Sequence, residues 1–439
     1  EHPGGGYGPA FLCQRVGRKI RNGSARDEGG VMRSRNDGEP SGNDGQHPTV
    51  RELCPVCEER DVISLGKPMD MPILMNRVYE TPDEAKAAKR GPLDFMSCRR
   101  CGFTWNHAFD SSLINYDGDY ENDQSWSPAF RKHMRDRAAD VVKSFGDTGP
   151  IDYLEVGCGQ GYFIEEVAET AGSRLRSAFG FDPAWRGAEA DGPHGSRIYS
   201  RPFEKNAVPL LHGMPNVIVS RHTIEHVRDP IGFLSAIRDA LDARSRIKIW
   251  IETPCVEWIF DHRAMQDFFY EHCSLFTAQS LEFALERTGF SNARVMHVFG
   301  GQYLWAEADV SEPRSLKAPE LQQKYASLDA VLPKFVEKWR NEIAEASDAG
   351  PVALWGAGAK GVSFSIIVDP DCRIIDHVVD VNPRKQGRYL PGSGLPVLSP
   401  EESSRRGPGT IYVMNPNYMD EIALMVRELG LATKLVSID

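Results

Sequence analysis

Two glycine-rich turns, each following a short apolar run, constrain this chain more than any other feature. One is "YLEVGCGQGYF", residues 153–163, and the other is "LWGAGAKGVSF", residues 354–364. Glycines between an apolar strand and a helix let the backbone turn tightly and come close to a ligand, as an α/β unit requires. Two such turns predict two doubly wound units, and 439 residues can bury two or three separate cores. Around the first turn the strand and helix signals alternate. "IDYLEVG" reads as a strand, "FIEEVAETA" as a helix, "SAFGFDPA" as a strand ending in Asp182, and "VIVSRHTIEHV" and "RIKIWIETP" as later strands. Strands separated by helices predict a parallel sheet with ligands at the carboxyl ends of its strands.

Composition removes several classes of function. A formal charge of −11 argues against a nucleic-acid partner, and no apolar run is long enough to span a membrane. The cysteines number nine, and no basic segment leads into an apolar one as in a secretory signal. The expectation is a reducing cytoplasm, with thiols or a metal site in place of disulfides. Residues 1–50 are rich in Gly, Asn, Asp, Ser and Arg without apolar period, which predicts a disordered tail. Met32 is the expected natural start, with the residues before it extraneous.

"CPVC" places Cys54 and Cys57 on one turn, and "CRRC" places Cys98 and Cys101 on another. Two such turns can close a tetrahedral four-cysteine zinc site, which has no open position and is therefore structural. The long stretch between them must hold an inserted loop or small subdomain. The bland alternative is two unrelated pairs of free or redox thiols. A zinc ribbon can also read nucleic acid, but the acidic balance disfavours it.

Three polar clusters follow. Ser127 with Pro128 reads as the cap and first residue of an amphipathic helix, preceded by a loop in which Tyr116 and Tyr120 could reach a site or simply pack. "HTIEH", His222 to His226, matches a zinc-peptidase pattern, but that pattern needs both histidines on one helical face and His222 follows directly on a strand. His226 is then a candidate acid or base, or a mere cap of the helix entering at "RDPIGFL". Glu271 and His272 are adjacent, just before a helix capped near Thr277. A carboxylate beside an imidazole suits proton abstraction, although neighbours on an extended segment point apart, leaving Glu271 free for a substrate hydroxyl.

In "EVGCGQG", Glu155 precedes Gly157, Gly159 and Gly161, and Asp182 closes the next strand, where it can accept hydrogen bonds from ribose hydroxyls. This order resembles motif I of the class I S-adenosylmethionine methyltransferases. Phe203 and Ser220 complete the candidate donor site. In the second turn Gly356, Gly358 and Gly361 satisfy G-x-G-x-x-G, with Asp380 about 20 residues further on, so the residues alone would suit a dinucleotide.

The two cysteine pairs, "YDGDYENDQSWSPAFRKH", "LEVGCGQGYF", "SRHTIEH", "YEHCSLFT", "GAGAKG", "DVNPRKQGRYLPGSGLPV" and "MNPNYMDEI" together resemble the zinc-containing sugar C-methyltransferases, over nearly all of residues 50–439. The resemblance implies a class I methyltransferase core that methylates C-3 of a nucleoside-diphosphate 4-keto-deoxysugar through an enolate, with S-adenosylhomocysteine as product. It implies a zinc subdomain over residues 51–125, a donor domain over 126–310 and a Rossmann-like nucleotide-sugar domain over 311–439. His272 is then the base, while Glu271, His226 and Tyr120 position substrate or stabilise the enolate. Lys360 would face phosphate, and Lys385, Arg388 and Tyr389 the nucleotide. Phe269 departs from the pattern, since the similar enzymes carry a tyrosine there. Two other classes remain: an O- or N-methyltransferase on another small molecule, and a non-catalytic zinc and nucleotide-binding module. A monomer is expected.

Overall fold

The computed structural model describes residues 52–67, 69–115, 120–146, 148–241, 246–320 and 328–438. The tail expected over residues 1–50, its start at Met32 and the loop residue Tyr116 lie outside the described residues.

Cys54 and Cys57 sit in a turn ahead of strand β1 (Val62–Ser64), Cys98 closes β4 (Phe95–Cys98), and Cys101 leads into β5 (Thr104–Asn106). Between β1 and β4 an inserted antiparallel pair, β2 (Met69–Pro72) and β3 (Arg90–Leu93), accounts for the long spacing between the cysteine turns. β1, β4 and β5 share a four-stranded sheet with β11 (Ser274–Leu275). β11 belongs to the segment that carries Glu271 and His272, so the cysteine-rich part and the following domain share one sheet.

Ser127 accepts a hydrogen bond from Phe130 N at 3.1 Å and Pro128 opens helix Pro128–Lys143. The local chemistry predicted this start, because proline lacks the N–H that a first turn cannot use. The central sheet has seven strands: β6 (Ile151–Val156), β7 (Leu175–Phe181), β8 (Arg197–Tyr199), β9 (Val217–Arg221), β10 (Lys248–Pro254), β12 (Phe290–Val298) and β13 (Tyr303–Val310). Their spatial order is β12-β13-β10-β9-β6-β7-β8. The expectation of a parallel sheet needs one correction: β13 runs antiparallel to both β10 and β12. Gly300 and Gly301, both at positive φ, fold β12 back on itself as a hairpin, so β13 inserts between β12 and β10.

The second unit is a five-stranded sheet in the order β16-β15-β14-β17-β18, parallel throughout. Its strands are β14 (Val352–Trp355), β15 (Ile375–Val379), β16 (Val397–Leu398), β17 (Thr410–Val413) and β18 (Lys434–Ser437). β14 is buried along its whole length, as a central parallel strand covered on both faces must be. No helix among the described residues is long and apolar enough to cross a membrane.

Candidate active site

The carboxyl ends of β6, β7 and β9 open into a cavity of about 1000 Å³ whose lining includes Glu155, Gly157, Gly159, Asp182, Phe203 and His226. Gly157, Gly159 and Gly161 have φ of 77°, 54° and 79°, values that disfavour any residue with a Cβ. A Cβ on Gly157 would lie 2.0 Å from Thr223 Oγ1, whereas nothing stands within 4 Å of that position on Gly159. Asp182 braces the turn, its Oδ2 accepting from Gly159 N and its Oδ1 from Ala184 N, each at 2.7 Å. Phe203 packs on Phe181 at 5.1 Å between ring centres. Ser220 does not line the cavity; side chains alternate along a strand, and on β9 it is Arg221 that reaches the lining.

Glu155 is buried and accepts from Tyr153 Oη at 2.9 Å. Burial raises its pKa to about 8, against the pull of Arg221. Arg221 donates from Nε to Glu252 at 2.5 Å, and His133 also binds that carboxylate. Glu252 lies fully inside, where burial would raise its pKa, yet the facing Arg221, His133 and His222 hold it well below the carboxylate range. Sequence reading missed this buried ionic knot. Its one signal was an acid in the middle of the apolar strand "IWIETP".

The structure brings the predicted polar residues together. Tyr120 Oη donates to Glu271 Oε1 at 2.6 Å, and Met75 N donates to Glu271 Oε2 at 2.8 Å. The rings of His226 and His272 meet edge to face at 4.9 Å, and Phe269 lies 4.8 Å from His272. Burial, followed by the neighbouring His226, lowers the His272 pKa to about 3, so the imidazole is neutral at neutral pH and a weak base unless its cation is stabilised by what surrounds it. The peptidase arrangement is absent: only Ile224–His226 form a short 3-10 turn, and His222 precedes it at φ 48°. The cap of helix Pro230–Asp239 is Asp229, accepting from Gly232 N at 2.8 Å, and not His226.

The four cysteines converge in the interior. Cys54 Sγ lies 3.6 Å from Cys101 Sγ and Cys57 Sγ lies 3.5 Å from Cys98 Sγ, all four within 4.8 Å of one another. Burial raises the Cys54 thiol, hydrogen bonding from its neighbours raises Cys101, and the same sharing lowers Cys98 and Cys57.

The residues proposed for the nucleotide sit elsewhere. Lys360 Nζ donates to Asp267 at 2.8 Å and lies 5.0 Å from the Trp258 ring. Lys385 Nζ donates to Ala357 O at 3.1 Å beside the second glycine turn. Arg388 pairs with Glu80, and the backbone of Tyr389 bridges to Tyr79. Among the described residues after 311, Arg384 lines the cavity; it and Arg186 face Glu121 at 3.2 and 3.9 Å.

Two family models match. Residues 130–295 match a methyltransferase domain and residues 315–432 a C-methyltransferase C-terminal domain. The chain is a methyltransferase. This methyltransferase is 26% identical over 392 residues to the C-methyltransferase NovU of Streptomyces niveus, covering 84% of this chain and 90% of that protein. Among solved structures it is similar to a SAM-dependent methyltransferase from Aquifex aeolicus (TM-score 0.29, 16% identity, 39% of this chain and 89% of that one). It is also similar to the plantazolicin methyltransferase BpumL (TM-score 0.32, 15% identity, 42% and 86%). The residues of the methyltransferase fit its donor: an open glycine turn, an acid at the end of β7 and an aromatic wall at Phe203 form one lining.

Proposed function

We propose that the enzyme methylates carbon 3 of a 4-keto-deoxysugar carried on a nucleoside diphosphate. The observation that carries this reading is the pairing of His272 with His226, which lines the donor cavity, their ring centres 4.9 Å apart. A carbon nucleophile must first lose a proton alpha to a ketone, and an unprotonated imidazole in reach of that carbon is the group that can take it. In this reading His272 accepts the proton. His226 and the Tyr120 hydroxyl, held by Glu271, face the enolate oxygen or neighbouring sugar hydroxyls. The donor supplies an electrophilic methyl group, and the glycine turn, Asp182 and Phe203 orient it.

Arg186 and Arg384 lie on the cavity rim and would meet the diphosphate, with Lys360, Lys385, Arg388 and Tyr389 as further nucleotide contacts in the second unit. The four cysteines are the ligand set of a structural zinc. Their knuckle supports β5, which pairs with β11 two residues beyond His272, so the metal would hold the base segment in place. Elemental analysis should find one zinc per chain; no zinc in purified, folded protein would reject this assignment.

Phe269 favours a second reading. A phenyl ring stands against His272 where the resemblance to the sugar C-methyltransferases implies a hydroxyl, and a lost polar contact alters substrate choice strongly. An O- or N-methyl transfer to another small molecule needs no alpha-proton base. One experiment separates the two: labelled S-adenosylmethionine with a panel of nucleoside-diphosphate 4-keto-deoxysugars in deuterated water, read by mass spectrometry. The carbon reading requires methyl gain on a sugar carbon, or deuterium uptake at C-3 that disappears in His272→Ala. Tight donor binding without exchange or methylation on any of these sugars would favour the second reading.

A further inference from the structure

Beneath the two histidines lies a carboxylate outside the roles assigned above. Glu225 is 0% exposed and sits in the turn Ile224–His226 after β9. Its Oε2 accepts from Thr253 Oγ1 at 3.1 Å, while Oε1 makes no hydrogen bond and lies 3.4 Å from His222 Nδ1. A carboxylate oxygen of Glu225 and one ring nitrogen each of His226 and His272 lie within 4.8 Å of one another.

A buried carboxylate is costly unless positive charge or donors face it. The groups around this one divide clearly. From β9 and β10, Arg221 and Glu252 face each other; from the helix after the second glycine turn, Lys360 is taken by Asp267. Tyr303 on β13, Asp182 after β7 and the Cys273 thiol bring no positive charge, and Arg228, which acts on Cys273, is not among the groups that shift Glu225. Among the described residues, the imidazoles of His222, which also faces Glu252, and of His226 and His272 are the positive-going groups that meet the anion. Burial alone would raise the Glu225 pKa, but the His222 contact and the other two imidazoles bring it below the ordinary value.

We propose that Glu225 is a positioning residue for proton transfer, an internal anion that lets the histidine cluster hold the proton taken from substrate. The inference rests on reading His272 as the base. The substrate C–H bond breaks, its electron pair moves into the enolate, and the proton bonds to a ring nitrogen of His272. The imidazolium so formed faces a carboxylate and not only two other imidazoles, and the proton then leaves to solvent through the cavity.

The test is a histidine titration of the full chain labelled with ¹³C at Cε1, followed by NMR without donor or substrate. Glu225→Gln should lower the midpoints of the clustered histidines by about one pH unit, a tenfold loss of proton affinity, while Glu225→Asp should retain them largely. Unmoved midpoints in Glu225→Gln would overturn the proposal even if turnover fell. If that variant does not fold, the carboxyl ¹³C shift of Glu225 in the unmodified protein decides, identified by its absence in Glu225→Asp: it must be ionised at pH 6, and a protonated acid would overturn the role. Shifted midpoints in a protein that accepts no keto sugar would support the role of Glu225 and count only against the sugar reading.

Discussion

The two glycine turns use the same bracing and differ in what lies above them. In the first, Asp182 at the end of the neighbouring strand accepts from Gly159 N and Ala184 N. In the second, Asp380 in the equivalent place accepts from Ala357 N and Asn382 N, both at 2.8 Å. Above the first turn is the cavity. Above the second lie Asn76, with its Oδ1 3.4 Å from a Cβ position on Gly358, and the Nζ of Lys385. The residue two before the first glycine is the buried Glu155 in one turn and the apolar Leu354 in the other. A glycine fingerprint reports backbone geometry, and its chemistry depends on what covers it.

Substituting one glycine in each turn should separate the two most sharply. Gly157→Ala forces a Cβ onto Thr223 at a left-handed φ, in the wall of the cavity proposed to hold the donor. Donor affinity should fall about 100-fold, or roughly 3 kcal/mol, as read by calorimetric titration. Gly361→Ala instead places a Cβ 2.1 Å from Gly356 O inside the second unit. It should lower stability by about 1–3 kcal/mol, typical of overpacking, with donor affinity within a factor of about 2 of the parent by the same arithmetic. Equal losses of donor affinity in both variants would break the comparison.

An effect smaller over any one pH unit follows from Glu155, which has no counterpart in the second turn. Its folded pKa of about 8 lies above the 4.5 of an ordinary glutamate, so between those pH values the unfolded chain releases a proton that the folded chain keeps. Stability should therefore fall as pH rises through this window, by at most about 1.4 kcal/mol per pH unit. Denaturation curves of Glu155→Gln should lack that part of the slope; an unchanged slope would mean Glu155 is ionised in the folded protein.

Much of the architecture was legible because its causes are local. Ser127 with Pro128 and Thr277 with Ser280 mark helix starts by bonds made within three residues, and the cysteine turns and glycine turns are equally short-range. The Glu271 and His272 neighbours were legible as a pair but not as partners. They serve different contacts, Tyr120 for one and His226 for the other, as alternation on an extended segment requires. Glu225 was visible only as the acid of a peptidase look-alike, because its importance comes from burial beside three histidines brought from two segments.

The sequence by itself determined the two doubly wound units, the cysteine cluster and the two glycine turns, since each follows from backbone demands met by adjacent residues. Only the tertiary structure decided that β13 inserts antiparallel between β12 and β10, that β11 pairs with the cysteine-bearing sheet, and that Lys360 is held by Asp267. Those outcomes join residues far apart in the chain, and their energies depend on which charges lose water together, a quantity that exists only once the chain is packed.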